Sequence, residues 1–346
     1  MPRPVENHAF LTALQAIFGP DQLDQRPEIR LRHGHGHTLE DLWAIRHQGL
    51  ARVPDLVVYP RSEGDAQFLV RAACENNVVL LPYGGGTNVS NALRCREDER
   101  RMIVAVDLKL LNQVRWIDPV DQTAYIEAGA VGNQIQELLA RYGFTLGHEP
   151  DSVELSTLGG WIATNASGMK KNRYGNIEDI VLDVTAIGVD GELVRACSGP
   201  RESVGPDLRR LLFGSEGNWA LIVAATVKVF PLPQRQRYDS VLFHSFESGV
   251  AFMHDLTRSE VATPASVRLV DNMQFQFSHA LKAADEGSGL VAKLQKLLVT
   301  RIYGFDPQRM TACTLLFEGN RETVAQQRRL IRRLARKHRG MPGGAR

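Results

Sequence analysis

The chain has 346 residues, 43% hydrophobic and 23% charged, enough for two or three ordinary globular domains. A formal net charge of +2 gives no bulk electrostatic reason for a nucleic-acid partner. No window approaches the roughly 20 apolar residues that cross a bilayer, and "MPRPVENHAFLTAL" lacks the apolar core and cleavage site of a secretion signal. The four cysteines (Cys74, Cys95, Cys197, Cys313) form no C-x-x-C pair, so they read as reduced thiols.

In chain order, Phe10, Leu11, Leu14 and Ile17 recur near helical spacing, which predicts an amphipathic helix over residues 7–18. Thr38 followed by Asp41 predicts a capped helix start. From Pro54, "DLVVYP" reads as a strand, "SEGDAQFLVRAACENN" as a helix capped by Ser62, and "VVLLPY" as a strand, together a β-α-β unit. "RMIVAVDL" and "TAYIEAGA" follow as strands. "VGNQIQELLARYG" is a helix ending at Gly143, and "IVLDVTAIGVDGELVRA" is a hairpin turning at Asp190-Gly191. Composition shifts at "PLPQRQRYD" (Pro231 to Asp239), the expected domain boundary. Beyond it lie the strand "SVLFHSF", "ASVRLVDNMQF", the strand "MTACTLLFEG" and a basic last helix. That helix reads as a domain helix with a solvated basic face in preference to a membrane-surface helix, because aromatics are absent. The chain stops on Gly, Pro and Gly straight after this helix, so a C-terminal truncation is expected.

Three loops are bare of bulky side chains. "VVLLPYGGGTNVS" sets three glycines after a strand, where several main-chain N–H groups can converge on one anion. It is neither the dinucleotide fingerprint, since Val89 stands where the third glycine belongs, nor a Walker loop. "DSVELSTLGGWIATNASG" and "GSEGN" are the others, and together they suggest one large polar ligand held along its length. His33, His35 and His37 form H-x-H-x-H on an extended segment. With no cysteine or paired carboxylate to complete a shell, no metal is expected there.

The stretches "PYGGGTNVS", "GHEPDSVELSTLGGWIATNASGMKKNRYGNIEDIV", "SVRLVDNMQFQFSHALK", "GFDP" and "TLLFEG" resemble the vanillyl-alcohol oxidase / para-cresol methylhydroxylase flavoproteins, and among them the alkyldihydroxyacetonephosphate synthases. The resemblance runs from about His35 to the last residues. It implies an α+β fold built of α/β subdomains. Residues 1–50 would be an N-terminal helical segment, 51–233 an FAD-binding domain of the PCMH type, and 234–346 an incomplete cap, or substrate, domain.

The cofactor implied is FAD, held without a covalent bond because Thr87 stands where covalent relatives carry histidine. Pro82, Tyr83, Gly84, Gly85, Gly86, Thr87 and Asn88 match the diphosphate loop. Asp151, Ser152, Val153, Glu154, Leu155, Ser156 and Thr157, with Thr164, Asn165, Ala166 and Ser167, match segments along the flavin and ribityl chain. Glu216, Gly217, Asn218, Trp219, Ala220, Leu221 and Ile222 match the last FAD segment, although Trp219 replaces the usual leucine. Arg268 and His148 match residues important for activity.

The activity implied is exchange of the acyl group of acyl-dihydroxyacetone phosphate for a long-chain alcohol, a step of ether-lipid synthesis with no net redox change. The partners are therefore small-molecule lipid substrates, with peripheral membrane contact and a homodimer left open. Two alternatives remain at this point: an FAD-linked oxidoreductase acting on a 2-hydroxy acid or other alcohol, and an inactive FAD-binding fragment. From the residues alone, Arg268 reads first as an ion-pair partner of an acid such as Asp271, and His148 equally as a ring satisfied by loop carbonyls. Lys170, Lys171 and Arg173 are equally the path of an anionic ligand or a solvated surface. A bacterial cytoplasm is expected rather than a peroxisome.

Overall fold

The computed structural model describes residues 1–193, 203, 205–259, 263–285 and 303–343. It divides into two compact units, Met1–Gly168 with Gly175–Pro231, and Met169–Tyr174 with Leu232–Arg346. The short excursion Met169–Tyr174, which chain order places in the first domain, thus belongs with the second.

In the first unit, β1 (Leu23–Asp24), β2 (Leu56–Val58), β3 (Val79–Tyr83) and β4 (Ile103–Asp107) form a sheet in the order β1-β2-β4-β3. The β2 and β3 strands both run parallel to β4. The helix Glu63–Glu75 connects β2 to β3, and β4 lies between them, so the predicted β-α-β unit has its two strands parallel but not adjacent. Every residue of β4 is buried: the apolar run Ile103 to Val106, as a central parallel strand should be, and Asp107 at its end. A second, antiparallel sheet uses β5 (Val114–Asp118), β6 (Thr123–Glu127) and, after the short strand β7 (Phe144–Thr145), β8 (Val181–Gly188), β9 (Gly191–Leu193) and β10 (Leu221–Lys228), in the order β5-β6-β10-β8-β9. The β7 strand pairs instead with β11 (Phe230–Pro231).

The caps fall where the residue types place them. The Thr38 hydroxyl accepts from Asp41 N at 3.0 Å, and the Ser62 hydroxyl from Asp65 N at 3.0 Å. Gly143, at φ +80°, follows the helix Gly132–Arg141. The first helix is shorter than its periodicity suggests: it spans His8–Gln15, capped by Asn7, and Ile17 lies beyond it, exposed. The hairpin turns on Val189 and Asp190, because Gly188 pairs with Gly191. Residues 194–196 of its predicted return strand, and Cys197, lie outside the described residues.

The second unit is a sheet of β12 (Arg235–Phe243), β13 (Ser266–Val270), β14 (Thr311–Gly319) and β15 (Met341–Pro342), ordered β13-β14-β12-β15. The β12 strand starts inside the segment that reads as a linker. The helix Arg321–Lys337 buries Val324, Leu330, Ile331 and Ala335 with Phe243, Phe252 and Phe317, so it is a domain helix, with Arg328 paired to Asp239 and its other arginines exposed.

Candidate functional site

One cleft of about 560 Å³ in the first unit gathers the three bare loops. Its walls include the whole stretch Pro82 to Asn88, together with Asp151, Ser156, Thr157, Thr164, Ala166, Ser167, Glu216, Gly217, Ala220 and Ile222. Of the residues singled out in this unit's sequence, His148, Ser152, Val153, Glu154, Leu155, Asn165, Asn218, Trp219 and Leu221 do not line it. Trp219, Glu154 and Leu155 point to solvent. The cleft also takes in residues the reading missed, among them Val89, Ser90, Leu108, Pro150 and Trp161. Of these, Leu108 and Trp161 carry no polar or glycine signal, being apolar residues that a strand end and a helix happen to present.

The glycines are dictated first by the protein's own backbone. A Cβ on Gly85 would lie 2.0 Å from the Leu155 carbonyl oxygen, and one on Gly84 would lie 2.4 Å from Thr157 Oγ1. Gly86 has φ +71°, and its Cβ would meet the Tyr83 hydroxyl at 2.1 Å. The loop therefore lies directly on the 155–157 segment. Among the described residues, none accepts a hydrogen bond from the N–H groups of Gly85, Gly86, Thr87 or Asn88. Four consecutive unsatisfied donors on a cleft wall form a nest for an anion. Gly217 presses on Pro82, where a Cβ would come within 2.8 Å, and the Glu216 carboxylate accepts from the Ser90 hydroxyl, tying the third loop to the first.

The second segment is positioned by the helix Leu158–Ala163, which Thr157 caps. Trp161 on this helix donates from Nε1 to the Ser156 hydroxyl at 2.8 Å, and its ring meets His148 edge-on at 5.1 Å. His148 is 1% exposed, and neither of its ring nitrogens has a partner among the described residues, so the carbonyl-satisfied alternative does not hold. Burial without a compensating charge pushes its pKa down to about 4, which keeps the ring neutral at pH 7.

In the second unit, Arg268 stands on β13 with its side chain exposed. It makes no ion pair with Asp271, whose carboxylate instead accepts from Gln274 N at 2.8 Å. Lys170 and Arg173 are not left to an anionic ligand. Lys170 Nζ lies 2.8 Å from the buried Glu318 carboxylate, and Arg173 donates to the Glu318 carbonyl at 2.9 Å. Lys171 is exposed. In the first unit, the H-x-H-x-H imidazoles do not share one side: His33 is buried and His37 exposed.

Residues 54–196 match the FAD binding domain family, and residues 232–345 match the C-terminal domain of FAD linked oxidases. The two matches follow one another along the chain and between them take in most of it. Its cofactor is FAD, and its fold is a two-domain α+β FAD-binding fold. Over 344 residues it is 41% identical to an alkyldihydroxyacetonephosphate synthase of Caenorhabditis elegans, covering 99% of this chain and 57% of the relative. A solved structure of an alkyldihydroxyacetonephosphate synthase superposes with a TM-score of 0.91 at 32% identity, over 100% of this chain and 62% of that one. A mitochondrial D-lactate dehydrogenase of Arabidopsis thaliana matches at 27% over 83% of this chain and 46% of its own. The chain spans about half the length of the curated synthases that it matches. The cleft fits FAD in the features that are this chain's own: a four-donor nest for the diphosphate, hydroxyls along the adjoining wall, and apolar surface at Trp161 and Ile222 for a flat ring system.

Proposed function

We propose that the chain takes part in alkyldihydroxyacetonephosphate synthesis. In this reading it binds FAD non-covalently and exchanges the acyl group of acyl-dihydroxyacetone phosphate for a long-chain alcohol, releasing the fatty acid. The observation that carries this reading is 41% identity to a synthase along nearly the whole chain, against 27% to a D-lactate dehydrogenase.

FAD, when bound, supplies the covalent catalysis that such an exchange needs. The residues of this chain supply the rest. The N–H groups of Gly85 to Asn88 hold the diphosphate. Thr87 offers no imidazole for a covalent link. Ser156, Thr157 and Thr164 offer hydroxyls to the ribityl chain. Neutral His148 has one N–H and one bare nitrogen, so it can accept a proton at one atom and hold one at the other. Arg268, an exposed guanidinium with no ion-pair partner among the described residues, suits the phosphate of the substrate.

The test supplies acyl-dihydroxyacetone phosphate and a labelled long-chain alcohol to the FAD-loaded protein. Label in an ether-linked product, with an equal amount of free fatty acid and no net flavin reduction, supports the reading. Bleaching of the flavin by a 2-hydroxy acid, with no label transferred, overturns it in favour of a dehydrogenase.

A further inference from the structure

The H-x-H-x-H segment has found no role so far, yet it lies directly behind the anion nest. His33 is 3% exposed and sits between two groups that only accept hydrogen bonds. Its Nδ1 lies 2.8 Å from the Ile29 carbonyl oxygen, and its Nε2 lies 3.0 Å from an oxygen of the Asp107 carboxylate. The ring is thereby pinned at both nitrogens, between the helix Pro27–Arg32 and the end of β4.

The ring then passes its position on. It packs on the Tyr83 ring with centroids 4.2 Å apart, and Asp107 is the register partner of Tyr83 across β3 and β4. Tyr83 is buried, and its hydroxyl fills the space directly against Gly86, the second residue of the unpaired N–H run. The same segment holds the other end of the loop. His37 N donates to the Asn88 carbonyl at 2.7 Å, and a Cβ on Gly36 would lie 2.2 Å from that oxygen. Gly36 N is itself fixed by the buried Asp41 carboxylate at 3.1 Å.

We infer that His33 is a positioning residue for the diphosphate-binding loop: held between the Ile29 carbonyl and the Asp107 carboxylate, it fixes the Tyr83 ring against which Gly86 is set, while Gly36 and His37 hold Asn88. This inference rests on the FAD reading above. A nest works only if its N–H groups point inward before the anion arrives, because ordering a loose loop costs binding energy. The brace contributes that order.

The experiment titrates flavin-free protein with FAD and records the apoprotein melting temperature alongside. His33→Ala should raise the FAD dissociation constant at least about tenfold. Added imidazole, which can enter the vacated space and pack on the Tyr83 ring, should restore most of the affinity. Asp107→Leu, similar in outline to the carboxylate but without an acceptor, should give the same rise, and it serves if His33→Ala does not fold. A folded variant whose FAD affinity stays within about twofold of the parent overturns the inference. So does a loss in His33→Ala that imidazole leaves untouched, since that is the mark of a general packing defect. If the parent chain itself takes up no FAD, the functional reading falls and this inference falls with it.

Discussion

His148 is an imidazole that the fold has stripped of water without giving it a partner. Folding lowers its pKa from 6.5 to about 4 through desolvation. Between those values the unfolded chain binds a proton at this ring and the folded chain does not. The contribution of the neutral ring to stability is therefore complete above about pH 6.5 and is lost as the pH falls toward 4, by on the order of 3 kcal/mol in all. His148→Leu should flatten that part of the pH dependence of the urea midpoint. An unchanged slope between pH 6.5 and 4 in the variant would mean that other groups produce it. The glycines make a second residue-scale prediction. A Cβ on Gly85 meets main chain, whereas one on Gly84 meets the hydroxyl of Thr157, which can rotate away at the expense of a helix cap worth about 1 kcal/mol. Gly85→Ala should thus lose more stability than Gly84→Ala, by about 1–3 kcal/mol in urea unfolding, and more FAD uptake. Equal effects of the two substitutions would contradict the packing argument.

Among the elements, β14 carries an unusual burden at its end. Glu318 is 2% exposed, and its carboxylate takes Lys170 Nζ at 2.8 Å, the Tyr174 hydroxyl at 2.7 Å and Gln236 Nε2 at 3.0 Å. This cluster is what joins the excursion Met169–Tyr174 to the second unit. Burial beside this carboxylate also raises the Tyr174 pKa well above the ordinary phenol value, so the tyrosine stays a donor. Glu318→Ala strands Lys170 in a largely buried site and should cost the second unit about 3–5 kcal/mol in denaturant unfolding. A cost under about 1 kcal/mol would place the clamp among ordinary surface pairs. The cluster was not legible in the sequence, because the lysine and the glutamate are 148 residues apart and nothing local marks them as partners. Elements whose signal is local were legible: the Ser62 cap, the apolar run of β4 and the glycine that closes the helix Gly132–Arg141. The first half of β12 and the whole of β5 were not. Residues 235–238 of β12 are all exposed, and β5 shows no clean alternation, so a period-2 pattern had nothing to register.

For the whole molecule, the cleft was legible as three small-residue loops converging on one ligand, because bare backbone leaves its mark in composition. Its apolar wall was legible only in part: Ile222 belongs to a segment singled out in the sequence, whereas Leu108 and Trp161 are apolar residues like any in the core until the fold turns them inward. The histidine segment was read as a metal question, whereas the fold uses it as the back of the nest. What the account asks of the molecule is that the cleft be built for FAD and hold it without a covalent bond. Equilibrium titration of flavin-free protein with FAD, followed by gel filtration and acid precipitation, tests this most directly. The account predicts saturation at one FAD per chain, a yellow protein after gel filtration, and all of the flavin released into the acid supernatant. A folded protein that stays colourless at saturating FAD, or flavin that precipitates with the protein, would contradict it.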